Sequence, residues 1–384
     1  MVYIRNAKLV LENGILWDGA LLIEGGRIRA AGSAASLPAP SEAEVIDAHG
    51  LYVGPGFVDI HCHGGGGAMF DTDPETAIRH FLRHGETTVL ATLYYDLSFE
   101  QMLASIAHVQ DVMAHSPAGK AIGGLYMEGP YMNPQYGASP EKNKWRGRID
   151  PAQAAQIVRQ AGSSVRVWAV APEREGIEEF AAMAKQANPS VRFAFGHTQA
   201  TPAEIYRLKP YGLCIQTHSM DATGAPCSIG GTRACGPDEA CLYDPDIYAE
   251  VICDSCGIHV HPDMLRLLRR LKGEERLILI TDSFVSNERP PEALAHVTDL
   301  IYDANGGLCG SKLTMDVACR NMMTHTPAGI CEVFRMGSLN PARAVGLGHE
   351  IGSIEPGKRA DLVFVDDQFH VSRVMLGGAF WCDV

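Results

Sequence analysis

The sequence contains no run of about 18 apolar residues, the length a helix needs to cross a bilayer, so no membrane-spanning helix and no membrane partner are expected. It is short of positive charge. Its 32 Lys and Arg stand against 45 Asp and Glu, a formal net charge of −13, which argues against nucleic acid, because that partner needs a basic face. Low-complexity tracts and blocks of like charge are also missing. The opening Met1-Val-Tyr-Ile-Arg-Asn6 reads as a strand and lacks the basic and apolar regions of a signal peptide. The 11 cysteines are scattered and odd in number, which fits reduced thiols and a cytoplasmic setting. Cys253-Asp-Ser-Cys256 has C-x-x-C spacing but no second pair for zinc, so both are read as ordinary small side chains.

What is present is a globular composition, 46% hydrophobic over 384 residues, enough for one large domain or a large and a small one. Near the start, strand-like runs over Tyr3 to Val10, Ile15 to Ile23 and Arg27 to Ala31 are separated by Glu12-Asn-Gly14 and Glu24-Gly-Gly26, which are turn signals. Similar runs, Asp361 to Val365 and Val371 to Met375, follow near the end. The two ends are expected to close into one small β-sandwich (residues 1–52 and 345–384) around an inserted unit, residues 53–344.

That central unit alternates strands and helices. Apolar runs end near His63, Leu93, Glu128, Ala171, His197, His218, His259 and Asp282. Between them, Ser98-x-x-Gln101 is a capping box leading into Met102, Ile106, Val109 and Met113 at helical spacing. Asp150-Pro151 starts a second helix that Gly162 stops. Met264 to Leu271 reads as an amphipathic helix with Leu265, Leu268 and Leu271 inward. Eight such repeats predict an α/β fold, a TIM-like (β/α)8 barrel.

Chemistry concentrates at the strand ends. His61 and His63 form an H-x-H pair after Val53 to Ile60. Side chains two apart on a strand point the same way, so both imidazoles can grip one cation. Glu128, His197, His218 and Asp282 close other apolar runs, and a barrel would bring them to one face. Each alone could be a loop or helix cap; together they read as a metal site. Mixed imidazole and carboxylate donors suit zinc or iron better than magnesium. Such a cation activates water and polarises a carbonyl, and an aspartate beside it can carry the proton to a departing amine. Metal-assisted hydrolysis of an amide or similar bond is the chemistry expected. The remaining histidines, from His80 to His370, lie on helix-like or loop stretches and are read as structural or solvated. His261 is assigned to a helix N-terminus with Pro262, and Gly64 to Gly67 to a loop beside the metal.

The motifs resemble those of the amidohydrolase superfamily, and within it the N-acetylglucosamine-6-phosphate deacetylases. They are Pro55-Gly-Phe-Val-Asp-Ile-His-Cys-His-Gly64, Met127-Glu-Gly-Pro-Tyr131 with Asn133-Pro134, Gly196-His-Thr-Gln-Ala-Thr201, Tyr248-Ala-Glu-Val251, Gly257-Ile-His-Val-His-Pro262, Thr281-Asp282, Gly310 to Asp316, Asn340 to Arg343 and Gly352 to Leu362. The resemblance spans nearly the whole chain. It implies Glu128, His197 and His218 as metal ligands and His61 and His63 as the pair that supplies a second site in members that have one. It further implies Asp282 as acid/base, His259 as a substrate-contacting histidine, and one or two divalent cations per chain. A homodimer is implied as well, with a phosphate site completed across the interface. The substrate implied is a small molecule, N-acetylglucosamine 6-phosphate or a related N-acetyl amino sugar, cleaved to acetate and the amino sugar.

The chain departs from the family where the sugar phosphate is held. Asp221-Ala222 stands where an asparagine-alanine pair is usual, and a carboxylate repels phosphate by about 1 kcal/mol at 4 Å even in water. Ser139, in a shortened loop, replaces a substrate-contacting histidine or glutamine. Arg233 is the sole arginine between His218 and His259 and the sequence candidate for the phosphate contact. These departures keep two alternatives open: hydrolysis of another small or cyclic amide without a phosphate handle, and a barrel retained as a scaffold without catalysis.

Overall fold

The computed structural model describes residues 1–226 and 228–383. Eight strands form the central unit: β1 (Phe57–Cys62), β2 (Glu86–Tyr94), β3 (Ile122–Glu128), β4 (Val165–Val170), β5 (Arg192–Phe195), β6 (Leu213–Gln216), β7 (Tyr248–Ile252) and β8 (Leu277–Ile280). They pair in parallel and in chain order from β1 to β8. Their runs are mostly apolar, as in Leu277-Ile-Leu-Ile280 with all four buried, because helices cover the outer face and side chains fill the inner one. The seam between β8 and β1 is closed by hydrogen bonds from Asp282 N to His61 O (2.9 Å) and from His63 N to Ser283 O (2.8 Å). The buried Asp59 carboxylate bolts the same seam, accepting from Thr281 Oγ1 at 2.5 Å.

Each strand is followed by a helix: α1 (Pro74–Arg83), α2 (Phe99–His115), α3 (Pro151–Ala161), α4 (Ile177–Ala187), α5 (Pro202–Arg207), α6 (Pro237–Tyr243), α7 (Pro262–Lys272) and α8 (Met315–His325). The capping box before α2 and the Asp150 cap of α3 form as expected, since each satisfies backbone N–H groups that have no partner within the helix.

Two expectations are corrected. The seventh strand ends at Ile252, not near His259. Asp254 accepts the backbone N–H groups of Cys256, Ile258 and His259, and this folds 254–259 into a loop. His259 and His261 therefore do not share a strand face; His261 caps α7. On α7, Leu265 and Leu268 are buried, whereas Leu271 is half exposed, because the inward stripe runs through 265, 268 and 272 at helical spacing and the buried position in the last turn is Lys272.

The chain ends build a second sheet from Val2–Leu11, Gly14–Glu24, Arg27–Ser33, Glu44–Asp47, Tyr52–Pro55, Leu362–Val365, Val371–Leu376 and Ala379–Asp383. It forks at Val2–Leu11. One edge of that strand pairs with Gly14–Glu24; the other pairs first with Glu44–Asp47 and then with Tyr52–Pro55. Its inner face encloses a core of its own, with Ile4, Leu9, Leu21, Val53, Leu362 and Phe364 among the buried residues. Stacking of Phe57 on Phe334, ring centres 5.4 Å apart, helps to close the barrel floor.

Candidate metal centre and active site

His61 lies on β1, His63 just beyond it, and Glu128 ends β3. His197, His218 and Asp282 each sit two residues past the end of β5, β6 and β8. All three adopt left-handed backbone, with φ of 43°, 26° and 46°. That region is uncommon for residues with a side chain, and such strain gathers at functional sites. The same offset and the same conformation recur at three strands, which marks them as one built feature.

The side chains meet around Glu128. Its Oε1 lies 2.7 Å from His197 Nε2 and 3.0 Å from His218 Nε2, and these two nitrogens are 3.0 Å apart. Its Oε2 lies 3.1 Å from His63 Nε2, which also faces Asp282 Oδ1 at 3.2 Å. His61 Nε2 points at Glu128 and Asp282 from 3.6 and 3.5 Å. Two overlapping donor sets result, His61 with His63 and Glu128, and Glu128 with His197 and His218.

The donors fit a cation. The buried His61 Nε2 has no hydrogen-bond partner, while Nδ1 of the same ring is committed to Glu250 Oε2 at 3.2 Å. A ring anchored by a carboxylate on one nitrogen and left open on the other is how metal-binding histidines are oriented. Glu250 also accepts from Tyr126 and from the backbone N–H of His218. Burial alone would raise the Glu128 carboxyl, but the surrounding imidazoles hold it well below its ordinary range. Burial would likewise lower the histidines, yet the carboxylates lift His63 to about 8 and His218 to about 9. Imidazoles must shed those protons before they can bind metal.

Above the cluster opens a cavity of about 230 Å³. His63, Glu128, His197, His218, Asp282 and His259 line it, as do Asp221, Ala222 and Ser139. Ser139 Oγ donates to Asp303 Oδ2 at 2.9 Å. Arg233 is not brought there: it is largely exposed and pairs with Glu239 at 2.5 Å. Gly137 (φ 107°) passes so close to His197 that a Cβ would stand 2.4 Å from its Nδ1, so only glycine fits. The segment Ser286 to Thr298, divergent in sequence, contributes Ser286 and Glu288 to the cavity wall.

Sequence reasoning passed over Asp59, Glu250 and Asp254, all fully buried. A signal existed. Asp59 and Glu250 stand inside the apolar runs Phe57-Val-Asp-Ile60 and Tyr248-Ala-Glu-Val-Ile252, where a carboxylate is costly unless it is paired.

Residues 52–380 match the model of the amidohydrolase family. An N-acetylgalactosamine-6-phosphate deacetylase of Escherichia coli O157:H7 is 31% identical over 98% of both chains. An N-acetylglucosamine-6-phosphate deacetylase of Haemophilus influenzae is 26% identical over 97% of both. Among solved structures, the N-acetyl-D-glucosamine-6-phosphate deacetylase of Mycobacterium smegmatis superposes with a TM-score of 0.80 at 28% identity, covering both chains fully.

Proposed function

Because the chain belongs to the amidohydrolase family, a family of metal-dependent hydrolases of carbon–nitrogen bonds, we propose that it deacetylates an N-acetylhexosamine 6-phosphate, releasing acetate and the amino sugar. The glucosamine compound and its galactosamine epimer, named for its relatives, are the first substrates to test. The observation that carries the reading is the buried Glu128 ringed by four imidazoles, with Asp282 Oδ1 3.2 Å from His63 at the cavity floor.

Glu128, His197 and His218 would hold one cation, and His61 and His63 with Glu128 a second. The imidazole-rich donors favour zinc or iron. When bound, such a cation polarises the amide carbonyl and brings water close to ionisation at neutral pH. Asp282 takes the proton from the attacking water and returns it to the departing amine. His259 presents its unpartnered Nε2 to the carbonyl oxygen. Asp221, Ala222 and Ser139 hold the sugar from the rim. We place the enzyme in the cytoplasm as a homodimer, in which Arg233 meets the sugar phosphate across the subunit interface.

Asp282→Asn should lower kcat by about 10²–10⁴ while metal per chain, read by atomic emission, stays unchanged. Full activity in this variant rejects the mechanism. A second reading, a small amide without phosphate, has one observation in its favour. Among the described residues the cavity is lined by Asp96, Asp221, Glu288 and Asp303, with Lys142 its sole lysine or arginine. Faster turnover of unphosphorylated N-acetylhexosamines would select it.

A further inference from the structure

The loop after β7 carries a carboxylate that neither the proposed mechanism nor the comparisons assign. Asp254 is fully buried, and its Oδ2 lies 3.3 Å from His259 Nδ1. The carboxylate does not swing freely to make that contact. Oδ1 accepts from the backbone N–H of Cys256 at 3.0 Å, and Oδ2 from that of His259 at 2.8 Å. Ile258 N–H spans both oxygens at 3.0 Å. Every one of these partners donates, so both oxygens must accept, and His259 Nδ1 must carry the proton between them. That leaves Nε2, buried, without a hydrogen-bond partner and in a ring that lines the cavity.

We propose that Asp254 is a positioning residue: it locks the His259 ring and keeps it as an imidazolium whose Nε2–H faces the scissile carbonyl. A neutral ring with its proton on Nδ1 would present a bare acceptor lone pair to that oxygen. Only the charged ring donates there while Nδ1 still donates to Asp254. The surroundings support the charge. Asp221 and Asp282 act on the ring from the cavity side, His325 Nε2 faces the Asp254 carbonyl at 2.9 Å, and Asp299 is occupied by Ser255. Burial works against the imidazolium, but Asp254, Asp221 and Asp282 together outweigh it and raise His259 above its ordinary value.

The inference rests on the deacetylase reading for the carbonyl, but its test reaches the ring directly. In the metal-loaded enzyme with histidines isotope-labelled, and with the His259 resonance assigned from His259→Asn, His259 should titrate above the ordinary histidine value of about 6.5. In Asp254→Asn the titration should fall by about one pH unit or more. The alkaline limb of kcat/KM on N-acetylhexosamine 6-phosphate should move down with it. The variant's kcat should drop about tenfold or more, with KM changing less. An unmoved alkaline limb, or a His259 resonance that titrates equally in both proteins, overturns the proposal and leaves Asp254 a loop staple. Should Asp254→Asn fail to fold, the wild-type resonance decides alone: titration at or below the ordinary value overturns it. If the sugar phosphates are not turned over at all, the function fails while the two titrations still judge the Asp254–His259 pair.

Discussion

His61 and His63 share Glu128 with the other two histidines, so removing them need not empty the site. Changing both to asparagine should lower the metal count per chain, measured by atomic emission, while His197, His218 and Glu128 retain one cation; a count equal to wild type would show that the pair is not a ligand. These residues were legible because each ends or follows an apolar run, and a barrel brings strand ends together whatever the loops do. The left-handed backbone of His197 and His218 was not legible, since nothing in Gly196-His197 or Thr217-His218 encodes it without the neighbouring strands. Asp254 escaped for a related reason. Its partners are backbone groups up to five residues on, and the seventh run reads as apolar through to Val260 unless that turn is known to form. Arg233 was picked out by its rarity in its stretch of chain, and rarity carries no information about where a side chain points.

Among the elements, α1 holds a pH-sensitive contact close to the candidate metal ligands. His80 packs on the Gly64–Gly65 and Ala68–Met69 hairpin, so closely that a Cβ on Gly66 would stand 2.8 Å from its own Cβ. Burial, then the neighbouring His84 and Arg83, pushes His80 down from 6.5 to about 4. The unfolded chain therefore binds a proton at higher pH than the folded one does. The stability this ring contributes is complete above about pH 6.5 and declines as pH falls toward 4. Thermal melts at pH 7 and pH 5 should show a larger loss for wild type than for His80→Gln; equal losses would assign the acid sensitivity elsewhere. Element boundaries were best read where a cap announces them, as at Ser98 and Asp150. The seventh strand, bounded by a side chain that folds its own loop, was read too long.

For the molecule as a whole, the second sheet is the part least visible in local sequence. The strands themselves were evident from turns such as Glu12-Asn-Gly14, but the fork at Val2–Leu11 and the pairing of Tyr52–Pro55 with Leu362–Val365 join segments far apart in the chain. Phe364 fills the centre of that sheet and is fully buried. Phe364→Ala should cost about 3–5 kcal/mol of stability, read from denaturant midpoints, and leave kcat per folded molecule intact; a fall in kcat equal to that of a site variant would mean the sheet shapes the centre directly. The same pairing has a bearing on synthesis. Tyr52–Pro55 leads straight into β1, yet the strand that covers its open edge leaves the ribosome on the order of tens of seconds later at ordinary rates of translation. Until then that edge, on the floor side of the barrel, offers unpaired N–H and C=O groups to any passing strand, and the chain's most vulnerable interval is set by the order in which it is made.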